Sequence, residues 1–165
     1  MIYKYTITFR QQLLLLIQPI IIYLGVIAVI YYYYKTIPAF TFIVALICIF
    51  CFDTLPALIL HIQYLVTNKS SLFVIDRVKQ TVFYKSSRIA TGEIPFNAIK
   101  SLEYHVSYGR STGVYSFARY RYYKINLNKS EGFVITCLMV NDIENTLEKL
   151  LQMKAEKMLS FFPSI

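Results

Sequence analysis

The sequence predicts a membrane α-helical hairpin joined to a small α+β domain, and three observations carry that reading. Residues 13–34 (LLLLIQPIIIYLGVIAVIYYYY) and 37–52 (IPAFTFIVALICIFCF) hold no charge and are separated by Lys35 and Thr36 alone. From residue 71 the apolar pattern changes to the two-residue alternation of strands, with about six short runs bounded by turn residues. The last segment returns to helical spacing, as expected of one amphipathic helix closing an antiparallel sheet.

Each apolar run approaches the ~20 residues needed to cross a hydrocarbon core of about 30 Å. Pro19 and Gly25 interrupt the first, which membrane helices tolerate. Tyr31, Tyr32, Tyr33 and Tyr34 end it in an aromatic cluster suited to a headgroup boundary, and Pro38 fits the first turn of the next helix. The second helix is expected to continue to residue 66. It would meet the inner boundary near Asp53 and kink at Pro56. Leu58, Ile59, Ile62, Leu65 and Val66 then form a stripe expected to lie against the domain. Asp53 and His61 are assigned to interfacial or packing roles, because they sit eight positions apart and not on one helical face. Cys48 and Cys51 form a lone CxxC without a second ligand pair, so packing is expected there and metal is not.

The division that follows is a segment 1–12, a hairpin with helical extension 13–66, and a domain 67–165. The mean hydropathy of +0.49 and 56% hydrophobic content come largely from the two runs. The domain is basic in its own right, with 14 Lys or Arg against 8 Asp or Glu from residue 67 onward. Lys4 and Arg10 precede the first run and only Lys35 lies in the turn, so the positive-inside rule places both termini in the cytoplasm. The first run is too long for a signal-peptide core and no small-residue cleavage site follows it, so it reads as retained. Three scattered cysteines make no disulfide framework and agree with a reducing compartment.

Within the domain, 71–76 (SLFVID) and 81–86 (TVFYKS) read as a hairpin about the turn 77–80. In 101–107 (SLEYHVS), Leu102, Tyr104 and Val106 face one side while Glu103 and His105 face the other. Runs 122–128 and 132–139 form a second hairpin, with Cys137 inside its second strand. In 114–121, Phe117 shares parity with Arg119 and Arg121, so a strand there must bulge or begin late. The final helix is expected over 141–162, capped by Asn141 or Asp142. Its stripe is Ile143, Leu147, Leu150, Leu151, Ala155, Met158 and Leu159.

The order of a two-span hairpin, a connecting helix (LPALILHIQYLVTN), a strand (LFVID), a basic turn (RVKQ), a strand (TVFYK), the IPFNAIKSLEY segment, a hairpin and a capped helix is distinctive. It resembles the bacterial membrane-anchored proteins with a PH-like domain, over essentially the whole chain. The resemblance implies a seven-stranded, strongly bent sandwich or open barrel closed at one end by the helix, with the missing edge strand supplied by 88–93 or 114–120. It also implies a multi-pass protein of the bacterial cytoplasmic (inner) membrane.

No nucleotide-binding loop, nucleophile elbow, metalloprotease motif or paired acids occur, so no enzyme and no cofactor or metal are expected. His105 is expected to be solvated. Two cationic sets could hold an anion. Arg77, Lys79, Lys85 and Arg88 correspond by location to the phosphate-gripping turn of phosphoinositide-binding PH domains. Arg110, beside Gly109 and Gly113, is joined by Arg119, Arg121 and Lys124 among tyrosines. The favoured reading is that both sets serve as solvated faces attracted to an acidic leaflet without any specific site. The expected role is a non-enzymatic scaffold or binding module at the inner leaflet. Its partners would be the bilayer, a second membrane protein or another copy of the chain, and acidic lipid; nucleic acid is not expected. The alternatives are a two-span sensor-effector of antiphage type, binding a nucleotide in a closed pocket of arginine and tyrosine, and an immunity or accessory subunit of a membrane complex.

Overall fold

The computed structural model describes residues 1–33, 38–86, 90–111, 115–128, 132–140 and 142–165. The chain opens with a strand, β1 (Ile2–Tyr5), before α1 (Phe9–Tyr33). Thr8 and Gln11 build a capping box at the start of α1. The Thr8 hydroxyl accepts from the Gln11 backbone N–H at 3.4 Å, and the Gln11 carboxamide accepts from the Thr8 N–H at 3.2 Å. The return helix runs as α2 (Ala39–Ile49), a π turn (Phe50–Thr54) and α3 (Leu55–Asn68). The expected break is therefore present, but as a π turn just ahead of Pro56 that shifts the hydrogen-bond register where proline lacks its donor. The Tyr23 hydroxyl reaches the Leu46 carbonyl at 3.5 Å, setting α1 against α2.

Strands β2 (Leu72–Asp76), β3 (Thr81–Lys85) and β4 (Ala90–Pro95) follow α3. β1 pairs antiparallel with β2, Ile2 opposite Asp76 and Tyr5 opposite Phe73, to give a sheet of order β1-β2-β3-β4. The hairpin is thus inserted between the first and second strands of one sheet. The division of the chain into 1–12, 13–66 and 67–165 separates β1 from the sheet it completes. The edge strand left open between 88–93 and 114–120 is β4.

The second sheet has the order β7-β6-β5-β8, from β5 (Ile99–Ser107), β6 (Arg121–Leu127), β7 (Phe133–Thr136) and β8 (Glu156–Ser160). Leu102, Tyr104 and Val106 are buried, as the alternation predicts. β6 begins late because Ser116–Arg119 forms a 3-10 turn, which resolves the parity conflict at Phe117. Cys137 lies past the end of β7, in the turn that leads toward α4. The inner faces meet through aromatic rings. Phe133 stacks on Tyr84 with centroids 4.4 Å apart and meets Phe73 at 6.1 Å, while within the second sheet Tyr104 stacks on its cross-strand partner Tyr123 at 4.8 Å. Helix α4 (Ile143–Leu151) adds Ile143, Leu147, Leu150 and Leu151 to this core.

Two expectations are corrected. The last helix does not reach residue 162: Gln152 adopts the left-handed conformation (φ 55°) and ends α4. The Glu148 carboxylate then accepts from the Ala155 N–H, and the chain continues as β8, parallel to β5. Asn141, offered as a cap, lies outside the described residues.

The second correction concerns α3, which turns most of its apolar stripe outward; of the five residues only Leu65 packs against the core. Leu58, Ile59, Ile62 and Val66 are exposed, whereas Ala57, Leu60, His61, Tyr64 and Asn68 are buried. The reason is chemical, since the domain beneath α3 presents groups that need hydrogen-bond partners. Asn68 donates to the Val134 carbonyl at 2.8 Å and accepts from the Thr136 N–H at 3.1 Å, standing in for the strand missing at the β7 edge. Tyr64 donates to the Pro163 carbonyl at 2.7 Å.

Candidate functional site

The segment from Ser116 to Tyr120 joins the domain to the helices. Asp53, in the π turn, is buried and accepts from the Ser116 backbone N–H and hydroxyl. About two helical turns further on and, against expectation, on the same side as Asp53, His61 Nδ1 lies 3.0 Å from the Tyr120 hydroxyl, with the two rings edge to face. Arg119 extends the other way, and its Nη1 donates to the Leu14 carbonyl of α1 at 3.3 Å. Nearby, Gln11 donates to the Met139 carbonyl. Five consecutive residues thus touch both limbs of the hairpin.

Beside this bracket lies a cleft of about 220 Å³ lined by Leu14, Leu15, Arg119, Arg121 and Cys137. Arg121 opens β6 on the parity of Tyr123 and Ile125, which brings its side chain to the end of the core next to Arg119. Burial pushes the Cys137 thiol above its ordinary pKa, and the nearby Arg121 and Arg119 charges offset this only in part. Burial also raises the Tyr120 hydroxyl. The described lining therefore offers guanidinium donors and apolar walls around a neutral thiol.

The other proposed cations do not join them. Arg77 and Lys79 occupy the β2–β3 turn, at the end of β2 opposite the hairpin, and Lys79 lies 3.9 Å from Glu93. Lys85 sits at the other end of β3, so the first set is split along the strand pair; Arg88 lies outside the described residues. Of the second set, Lys124 falls on the opposite face of β6 and lies 3.9 Å from Glu103. Arg110 sits within a 3-10 turn (Tyr108–Ser111), and its side chain is outside the described set. Among the described side chains of the two sets, only Arg119 and Arg121 are brought together.

His105 is not solvated as expected. It stacks on Tyr122 at 4.4 Å, with Nε2 3.2 Å from Glu103 Oε2. Tyr31, Tyr32 and Tyr33 are exposed at the far end of α1, and Tyr34 lies outside the described residues. Pro56 is half-buried. Cys48 and Cys51 face outward instead of packing, and no group of three metal-ligating side chains occurs among the described residues. Sequence reasoning missed Ser116 and Leu14, and named Tyr120 only among the tyrosines of the second cationic set. The parity conflict at Phe117 and the arginines at 119 and 121 were the signals pointing to that segment.

A family model described as PH domain matches residues 4–149, which takes in the second half of β1, the helical hairpin, β2 to β7 and most of α4. The chain belongs to the PH domain family. Comparison with curated proteins finds no match. Comparison with solved structures finds none either. The strands β1 to β7 and α4 are thus the PH fold of this chain, with the hairpin set into its first connection.

Proposed function

We propose that this PH-domain protein is a non-enzymatic scaffold or binding module of the bacterial cytoplasmic membrane, multi-pass, with both termini in the cytoplasm. The observation that carries the reading is the pairing of β1 with β2 on either side of the hairpin. A membrane entered by α1 must be left again before Leu72, or the sheet could not close. Helices Phe9–Tyr33 and Phe40–Asn68 have the length and composition for two crossings. Large apolar side chains stand exposed along both, among them Ile20, Leu24, Ile27, Phe40, Ile43 and Ile47. A lipid environment removes the cost of that surface. The positive-inside balance supplies the orientation.

The outward stripe of α3 continues the lipid-facing side of the second helix beyond the bilayer. A partner seated on Leu58, Ile59, Ile62 and Val66 would itself be membrane-bound, so another membrane protein is the partner this surface suits, with acidic lipid as a secondary contact. The nucleotide-sensor alternative called for a closed pocket of arginine and tyrosine. The cleft instead puts leucines of a membrane helix and Cys137 beside its arginines, which favours the scaffold.

The test labels cysteines with a membrane-impermeant maleimide in intact and permeabilised bacterial cells, in a background lacking Cys48, Cys51 and Cys137. Lys35→Cys is expected to label from outside, and Lys4→Cys and Lys154→Cys only after permeabilisation. Labelling of Lys4→Cys and Lys154→Cys from opposite sides, or recovery of the chain in the soluble fraction, overturns the reading.

A further inference from the structure

Independently of the membrane reading, we infer that the outer edge of β5 is a docking site for an extended segment, and that its occupant is β8 of a second copy of this chain, exchanged between two protomers. The extent of the fold is the first reason. The family match ends at residue 149, so the segment that carries β8 lies outside it. β8 is an addition laid along the edge of a domain whose other strands and helix already pack together.

The mode of attachment is the second reason. β8 runs parallel to β5, with Glu156 opposite Glu103 and Ser160 opposite Ser107, and its first four residues stay exposed. The residues after it are gripped by their backbone. Ser107 donates to the Phe161 carbonyl at 3.0 Å and Tyr64 to that of Pro163 at 2.7 Å. Tyr122 donates to the Ser164 carbonyl at 3.1 Å and Gln63 to that of Ile165 at 2.7 Å. These donors all stand on α3, β5 and β6, so the receptor is complete in the body of the domain. Main-chain recognition of this kind is the basis of strand addition at a sheet edge. An identical segment arriving from another copy satisfies every one of these contacts.

The third reason is the hinge. Residues 152–155 alone join α4 to β8, and Gln152 turns left-handed there at φ 55°, a conformation that crowds the Cβ of any residue but glycine. Straightened, four residues reach about 13 Å, enough to carry β8 away from its own β5. A short hinge under strain favours exchange, because opening relieves the hinge while the strand remakes its contacts on the partner. Met158, Leu159 and Phe161 stand exposed on the docked segment, an apolar surface that a second domain drawn alongside would cover.

The experiment co-expresses two differently tagged copies of the full chain in a background lacking Cys48, Cys51 and Cys137. One carries His105→Cys and the other Met158→Cys, positions that face each other across the β5–β8 pairing. Oxidation with copper phenanthroline is expected to join the two tags through a disulfide, at least tenfold more than the control pair of His105→Cys with Lys79→Cys, which lies in the turn of the other sheet. Gln152→Gly in both copies takes the left-handed turn without strain, and should lower the joined yield at least threefold. A chain carrying both His105→Cys and Met158→Cys that closes only on itself, with no joining of tags above the control, overturns the exchange. Failure of that doubly substituted chain to form the disulfide within or between copies overturns the docking site. Joining of His105→Cys to a cysteine of a different protein gives the edge another occupant and overturns the second copy.

Discussion

Asp53 receives both hydrogen bonds that Ser116 can offer, from its backbone N–H at 2.6 Å and its hydroxyl at 2.7 Å, across 63 positions of sequence. A buried carboxylate held by two donors fixes the π turn of the return helix to the domain. It also explains why an acidic residue is tolerated at the end of an apolar helix.

Asp53→Ala is therefore expected to cost about 1–3 kcal/mol, since it leaves buried donors without acceptors. Ser116→Ala removes one of the two bonds. Chemical denaturation in detergent of both single variants and the double should give a coupling energy above about 0.5 kcal/mol. Additive losses would mean that the two residues act separately.

Asn68→Ala should lower stability by a similar amount, about 1–3 kcal/mol, because the Val134 carbonyl and Thr136 N–H lose their partner together. Hydrogen exchange localises the effect: faster exchange at β7 with β2 and β3 unchanged is the expected pattern.

Burial by itself raises the pKa of Glu103, but hydrogen bonds from Asn126 and His105 and the charge of Lys124 outweigh it, leaving the carboxyl below its ordinary value. A folded pKa below the unfolded one contributes stability above the unfolded value. That contribution is lost as pH falls through the folded one. Glu103→Gln is expected to flatten stability across the acidic range below about pH 4.5, as read from denaturant midpoints at stepped pH. An unchanged acid slope would remove Glu103 as its source.

Ile62→Glu tests the outward face of α3. The side chain is exposed, so the folded state should shift by no more than about 0.5 kcal/mol. Co-purification of a membrane-protein partner in mild detergent should fall at least tenfold. A full yield of partner with Ile62→Glu would place the docking surface elsewhere.

Much of the fold was legible in the sequence, wherever a repeat of two or 3.6 residues was clean. The β2–β3 and β6–β7 hairpins, the inward face of β5 and the two long helices fall where the pattern put them. What failed were contacts that periodicity cannot carry. β1 has only four residues, and its partner lies beyond two long helices. The apolar stripe of α3 suggested an inward face, but the polar needs of the β7 edge and Tyr120 drew Asn68 and His61 inward instead. The last segment read as one helix because Ala155, Met158 and Leu159 happen to continue the stripe past Gln152. Of the eight basic residues singled out, alternation along β6 separates Lys124 from Arg121, and the length of β3 separates Lys85 from Arg77. The Arg119–Arg121 pair needed the 3-10 turn, which left its trace only as a broken parity.

The pairing of Tyr5 with Phe73, 68 positions later, has a consequence for how the chain is made. β1 leaves the ribosome first and can find its neighbour only after both helices have been synthesised and folded back. A chain that crossed the bilayer once would strand β1 on the far side and leave β2 as a naked edge, open to degradation or aggregation. Under the proposed membrane reading, correct insertion and completion of the sheet would therefore be one event, and the finished domain a proofread record of the hairpin's topology.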